Sequence, residues 1–161
     1  MIRKCFVLGV FCVLIVGTVT AQTTVGVSDA LSFRSSIEGF LREEGYVPTI
    51  DDNDESVNFK KEGELYWITV QGSDVYYIRF YRNGYDSTDD LDHKTILDAC
   101  NYANSTTRCA KAWVTDVTIG FTVEFYCHAI EAFRNTFYSN MRALDRSYNT
   151  VTDYYNEHEN D

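Results

Sequence analysis

His128-Ala129-Ile130-Glu131 sets an imidazole and a carboxylate three residues apart, the spacing that puts two metal ligands on one face of a helix. A structural zinc site takes four ligands and a catalytic one at least three, and no second pair accompanies this one. His93 and His158 stand far from it in sequence. The motif reads as a histidine at a helix start with a glutamate in the first turn, and neither a metal nor another cofactor is expected. Asp51-Asp52-Asn53-Asp54-Glu55 also invites a cation, but it has no glycine at the sixth position of an EF-hand loop. Lys60, Lys61 and Glu62 follow where such a loop should close. The run reads as an acidic, solvated turn. Cys127 is the thiol with a histidine beside it, yet neighbours in a strand point to opposite faces. Cys100 falls on an apolar helix face. Neither meets the needs of an activated nucleophile, a basic neighbour and access. The chain has no Gly-x-Gly-x-x-Gly string, no phosphate loop and no Gly-x-Ser-x-Gly elbow, so no catalytic residues are assigned and an enzyme is not expected. Asn104-Ser105-Thr106 is a glycosylation sequon, which matters only in a eukaryotic source.

The remaining chemistry is that of recognition. Trp67, Tyr77, Arg79, Tyr81, Trp113 and Tyr126 all fall in segments that alternate as strands do. Alternation sends successive side chains to opposite faces. One face collects Val57, Phe59, Ile68, Val70, Ile78, Phe80, Ala110, Ala112, Val114, Ile119, Phe121, Val123 and Phe125 and must lie under helices. The other holds the six residues above with Asn58, Lys60, Thr69, Lys111, Thr115, Thr122 and Glu124. Trp, Tyr and Arg are the side chains enriched in protein interfaces. Tyrosines also suit strands and need no partner when half exposed, so both accounts of this face stand. A one-residue slip of Thr118–Tyr126 would exchange its faces.

The elements that must position these residues follow from periodicity. Ser28 is a good N-cap for a helix over 29–44 carrying Phe33, Ile37, Phe40 and Leu41, with Gly45 as its left-handed stop. Tyr46–Ile50 reads as extended. Strands follow at Val57–Lys60, Glu64–Gln71 and Val75–Tyr81, with Asn83-Gly84 breaking the run. Ser87–Asp90 reads as the cap of a second helix over 90–103, with Ile96, Leu97, Cys100 and Ala103 inward and a loop at 104–107. Cys109–Thr115 and Thr118–Tyr126 form a hairpin. Ile130, Phe133, Phe137, Met141, Leu144, Tyr148, Val151 and Tyr155 make one apolar stripe on a terminal helix. Its spacing fits either packing on the sheet or a short coiled-coil dimer seam. The order α-β-β-β-β-α-β-β-α predicts an α+β protein, an antiparallel sheet with helices on one face.

The first 21 residues have the three zones of a secretory signal. Arg3 and Lys4 precede an apolar run from Cys5 to Val16, and Val19 and Ala21 stand at −3 and −1 of a cleavage site before Gln22. The run is too short to span a bilayer. The expectation is a signal peptide over 1–21, a single domain over 22–161, and an exported, periplasmic or secreted protein with no membrane insertion after cleavage. The mature chain would hold twelve basic and twenty-four acidic residues, a formal charge of −12. That balance excludes nucleic acid, whose phosphates demand Lys and Arg clusters. Cys100, Cys109 and Cys127 would remain, one bridge or three buried thiols being both compatible.

A series of short motifs carries a resemblance. Phe40-Leu41, Glu44-Gly45-Tyr46 and Pro48 lead to the acidic turn. Asn58-Phe59-Lys60-Lys61-Glu62-Gly63, Tyr66 and Tyr77-Ile78-Arg79 follow, then Ala99-Cys100-Asn101, Asn104 and Ala110-Lys111. In this order, from about Ile37 to Phe137, the chain resembles the bacterial YbjN-like family, whose fold is similar to that of type III secretion chaperones. The resemblance implies a compact α+β domain, often dimeric, that binds and does not catalyse. An export signal departs from the cytosolic setting of such chaperones. The reading is therefore a protein- or peptide-binding module of the cell envelope, chaperone-like or regulatory, using the aromatic face. A small-ligand protein or enzyme with a pocket between the last helix and the sheet, and a structural unit that self-associates as a homodimer, are the alternatives.

Overall fold

The computed structural model describes residues 22–51, 55–85, 92–115 and 118–158. The expected signal peptide, the middle of the acidic turn and the expected cap at Ser87–Asp90 lie outside them. The elements are α1 (Gln22–Glu43), β1 (Thr49–Asp51), β2 (Ser56–Lys61), β3 (Glu64–Gln71), β4 (Tyr76–Tyr85), α2 (His93–Thr106), β5 (Ala110–Val114), β6 (Ile119–Cys127) and α3 (Ile130–His158). This is the expected α+β order. The strands form one antiparallel sheet in the spatial order β1-β2-β3-β4-β6-β5. After β4 the chain crosses through α2 to the far edge, and β6 returns to fill the gap beside β4.

Alternation sorted the sheet correctly. Val57, Phe59, Ile68, Ile78, Phe80, Ile119 and Phe121 are all buried beneath the helices, so Thr118–Tyr126 is in the expected register. The stripe of α3 is spent on this core rather than on a coiled-coil seam: Phe133, Phe137, Leu144 and Val151 are fully buried. Phe137 sits among the rings of Phe40, Phe59, Phe80 and Phe133, with centroids 5.1–5.9 Å away. Rings thus fill the space between α3 and the sheet, where a small-ligand pocket was the alternative. Tyr66 is core, whereas Tyr76 is half-buried and stacks on Phe33 of α1 at 4.1 Å.

Several boundaries differ from expectation. Helix α1 begins by Gln22, so Ser28 is inside it and not its N-cap; Gly26 weakens a helix by only about 1 kcal/mol relative to alanine and does not stop it. At the other end, Gly45 has φ +87°, and Tyr46 N–H and Gly45 N–H donate to the carbonyls of Leu41 and Arg42, a Schellman stop. Strand β4 runs through Asn83-Gly84, with a register irregularity there. Gly84 persists in a strand because the Phe121 ring lies where its Cβ would be, 2.6 Å away. The N-cap of α2 is Asp92, whose carboxylate accepts from Thr95 N–H at 2.7 Å. Leu97 is exposed and Ala99 takes the inward place.

Helix α2 also continues through Asn104–Thr106, where a loop was expected. Asn104 explains why. Its Nδ2 donates to Ala112 O at 2.9 Å and its Oδ1 accepts from Ala112 N at 2.7 Å. The carboxamide thus makes the two bonds that a further strand would make on the outer edge of β5. Edge strands left open invite pairing with another chain.

Candidate functional site

Among the described residues the three helices lie against one face of the sheet, and no described helix packs on the opposite face of β3, β4 and β6. Its cross-strand rows follow from register. Trp67 opposes Tyr81, and Tyr81 opposes Thr122. Thr69 opposes Arg79, which opposes Glu124, and Gln71, Tyr77 and Tyr126 form the next row.

Within these rows the expected residues fall into two groups. The rings of Trp67 and Tyr81 stack at 5.1 Å and 7°, and the Arg79 guanidinium lies 5.2 Å from the Tyr81 centroid. Tyr77 and Tyr126 meet at 5.4 Å, and Tyr126 is 73 % exposed. Glu124 stands between the groups, 3.8 Å from Arg79 Nε and 3.4 Å from Lys111 Nζ. Burial, and then the negative charge of Glu124, push the Tyr77 phenol above its ordinary value, so Tyr77 stays a neutral donor. Two hollows flank this ridge. One of about 620 Å³ is lined by Gln71, Tyr77, Cys109, Lys111, Glu124 and Tyr126. The other, about 210 Å³, is lined by Glu55, Thr69, Gln71, Tyr77, Arg79 and Glu124 among others. The face offers flat rings with apolar bodies, phenol donors and a guanidinium, the chemistry that holds peptide groups and side chains.

Trp113 does not join either group. Its indole lies across Gly120, where a Cβ would come within 2.1 Å of the ring. It covers the backbone of β6, so its first role is packing.

The chemistry-bearing residues outside this face are dispersed. Among the described residues no three of His, Cys, Asp or Glu are grouped to hold a metal ion. Cys100 and Cys127 are buried free thiols, the first pushed up to about 11 by burial and the second also raised. Cys109 is a free, exposed thiol at φ +71°, just outside β5 where a strand residue was expected and not one of three buried thiols. Among the described residues no helix is long and apolar enough to cross a membrane.

One cluster escaped the sequence reading. Arg82, nearly buried, points inward and donates to Asp145 Oδ1 and Glu64 Oε2, each at 3.1 Å, with its guanidinium 4.3 Å from the Tyr148 ring. Tyr66 OH donates to Asp145 Oδ1 at 2.7 Å and Lys61 Nζ to Oδ2 at 3.1 Å. Burial acts to raise the Asp145 carboxyl, but the bonds from Tyr66 and Lys61 outweigh it and hold the group below the usual carboxylate range. Burial and the bond to Asp145 raise the Tyr66 phenol strongly. With two cations and two anions the cluster satisfies itself, and it ties α3 to β2, β3 and β4. Continuing the inward series Ile78, Phe80 by two would have placed Arg82 in the core; ending the strand at Tyr81 hid that signal.

No family model matches the chain, and no curated protein matches it. Among solved structures it is similar to the crystal structure of YbjN from E. coli, with 11% identity over 70% of this chain and 86% of that chain and a TM-score of 0.48. A likeness at that level carries nothing about activity or partner.

Proposed function

We propose that this protein is a non-catalytic module that binds a protein or peptide on the open face of its sheet, exported by the signal peptide over 1–21 and acting in the periplasm or outside the cell. The observation that supports it is the cross-strand stack of Trp67 and Tyr81 under Arg79, beside the exposed Tyr126, on a face that no described helix covers. A chaperone-like or regulatory role, and kinship with the YbjN-like family, belong to the same proposal. The binding centre is Trp67, Tyr77, Arg79, Tyr81 and Tyr126; Trp113 contributes at the rim, since Gly120 holds it down.

The test is selection of peptides from a random displayed library on the purified protein, repeated on Trp67→Ala/Tyr126→Ala. Enrichment of a common peptide pattern on the parent, and its loss on a folded double variant, is the expected result. Equal enrichment on both would overturn the reading. A homodimer through this face would show instead as a concentration-dependent mass that the same variant abolishes.

A further inference from the structure

In a chain with 24 acidic and 14 basic residues, a cation finds a carboxylate easily. Eight described lysines and arginines do so. Among the described residues four make no ion pair: Lys60, Arg108, Arg142 and Arg146. Three of those four line one cleft of about 1130 Å³, between the middle of α3 and the turn that joins α2 to β5. This cleft is on the helix side and meets the sheet-face hollow only at Cys109.

The gathering runs against local physics. Arg142 and Arg146 are four residues apart on α3, so their like charges repel on one helix face. Arg142 donates only to Ser139 Oγ, at 3.1 Å. Two carboxylates also line the cleft. Asp145 is already taken by Lys61, Tyr66 and Arg82, which leaves Asp153 as the one competitor. The remaining wall holds hydroxyls and amides, Ser139, Asn149 and Thr150 among them, with the Cys109 thiol and the Ala143 methyl. All three cations are arginines, whose planar fork matches carboxylate and phosphate edges in two-pronged fashion.

We propose that the Arg108–Arg142–Arg146 cleft is a binding site for a small polyanion carrying two or more phosphate or carboxylate groups. The volume exceeds that of one oxyanion, and three guanidinium groups with hydroxyls and amides around them match several anionic groups rather than one. None of its arginines lines the sheet-face hollows, so either site can fail without the other.

Calorimetric titration of pyrophosphate, and separately of citrate, into the purified full chain at low salt tests it. Saturable one-to-one binding of either probe is expected, weakened roughly tenfold or more by Arg142→Gln/Arg146→Gln and by Arg108→Gln. Lys60→Gln, an unpaired cation elsewhere, should leave binding unchanged. The arginines are exposed, so the variants should melt with the parent, and a melt of each confirms it. Absence of saturation with both probes, or equal weakening by Lys60→Gln, would overturn the proposal.

Discussion

The two faces of the sheet use the same kinds of residue to different ends. On the inner face Phe59, Phe80 and Phe121 are essentially dry, and each ring is enclosed by others, among them Phe137 of α3. On the outer face Trp67, Tyr77 and Tyr81 stay half-wet, with Trp67 stacked on Tyr81 and Tyr77 tilted against Tyr126 across the strands. Charge follows the same division. The inner Arg82 is nearly buried and meets two carboxylates, whereas the outer Arg79 lies over a ring and 3.8 Å from one. Folding alone accounts for the inner set. It does not account for the half-exposed Trp67, Tyr77 and Tyr81 and the exposed Tyr126 of the outer one, and the proposed binding rests on them.

Substitutions sharpen this contrast. Phe137→Ala removes the hub of the inner cluster and should lower stability by about 3–5 kcal/mol in urea unfolding. Asp145→Ala leaves Arg82 with Glu64 alone and Lys61 without its main partner; about 2–3 kcal/mol is expected, less than for a fully buried pair because the side chain keeps 29% exposure. The pH dependence has a definite sign. A carboxyl held below its ordinary value of about 3.9 contributes stability above that pH, and the contribution is lost as pH falls through the lower folded value. The parent should therefore lose stability on acidification more steeply than Asp145→Asn. Asn104→Ala should remove about 1–2 kcal/mol and, by freeing the β5 edge, produce association visible in light scattering; a variant that stays at the parent's mass would show that α2 alone guards that edge. At the small end, Tyr126→Ala should shift stability by less than about 0.5 kcal/mol while weakening a bound peptide by about 2 kcal/mol if Tyr126 is an anchor.

The fold was legible because period two and period 3.6 are strong signals here. Most of the inward set of β2, β3, β5 and β6 and the α3 stripe could be read from spacing alone, whereas Arg82 near the end of β4 was missed. What spacing could not reach was set by neighbours distant in sequence. Gly84 looks like a breaker until Phe121 is placed on it, and Trp113 looks like a free anchor until Gly120 is seen beneath it. Asn104 looks like a loop residue or a glycan acceptor until its amide meets Ala112, 8 residues on. The Asp145 cluster joins three strands to α3, with partners 63 to 84 residues apart, and no local pattern announces it. The open face was legible as composition, but its division into a Trp67–Arg79–Tyr81 group and a Tyr77–Tyr126 pair required the register between β4 and β6.

The central claim is that the outer face binds and the inner face folds. Amide and side-chain NMR of the labelled protein, titrated with a peptide selected on it, tests this most directly. The account predicts shifts concentrated at Trp67, Arg79, Tyr81, Glu124 and Tyr126, with α3 resonances between Phe133 and Val151 unmoved. Shifts confined to α3 or to the β5 edge, with the Trp67 indole unchanged, would contradict it.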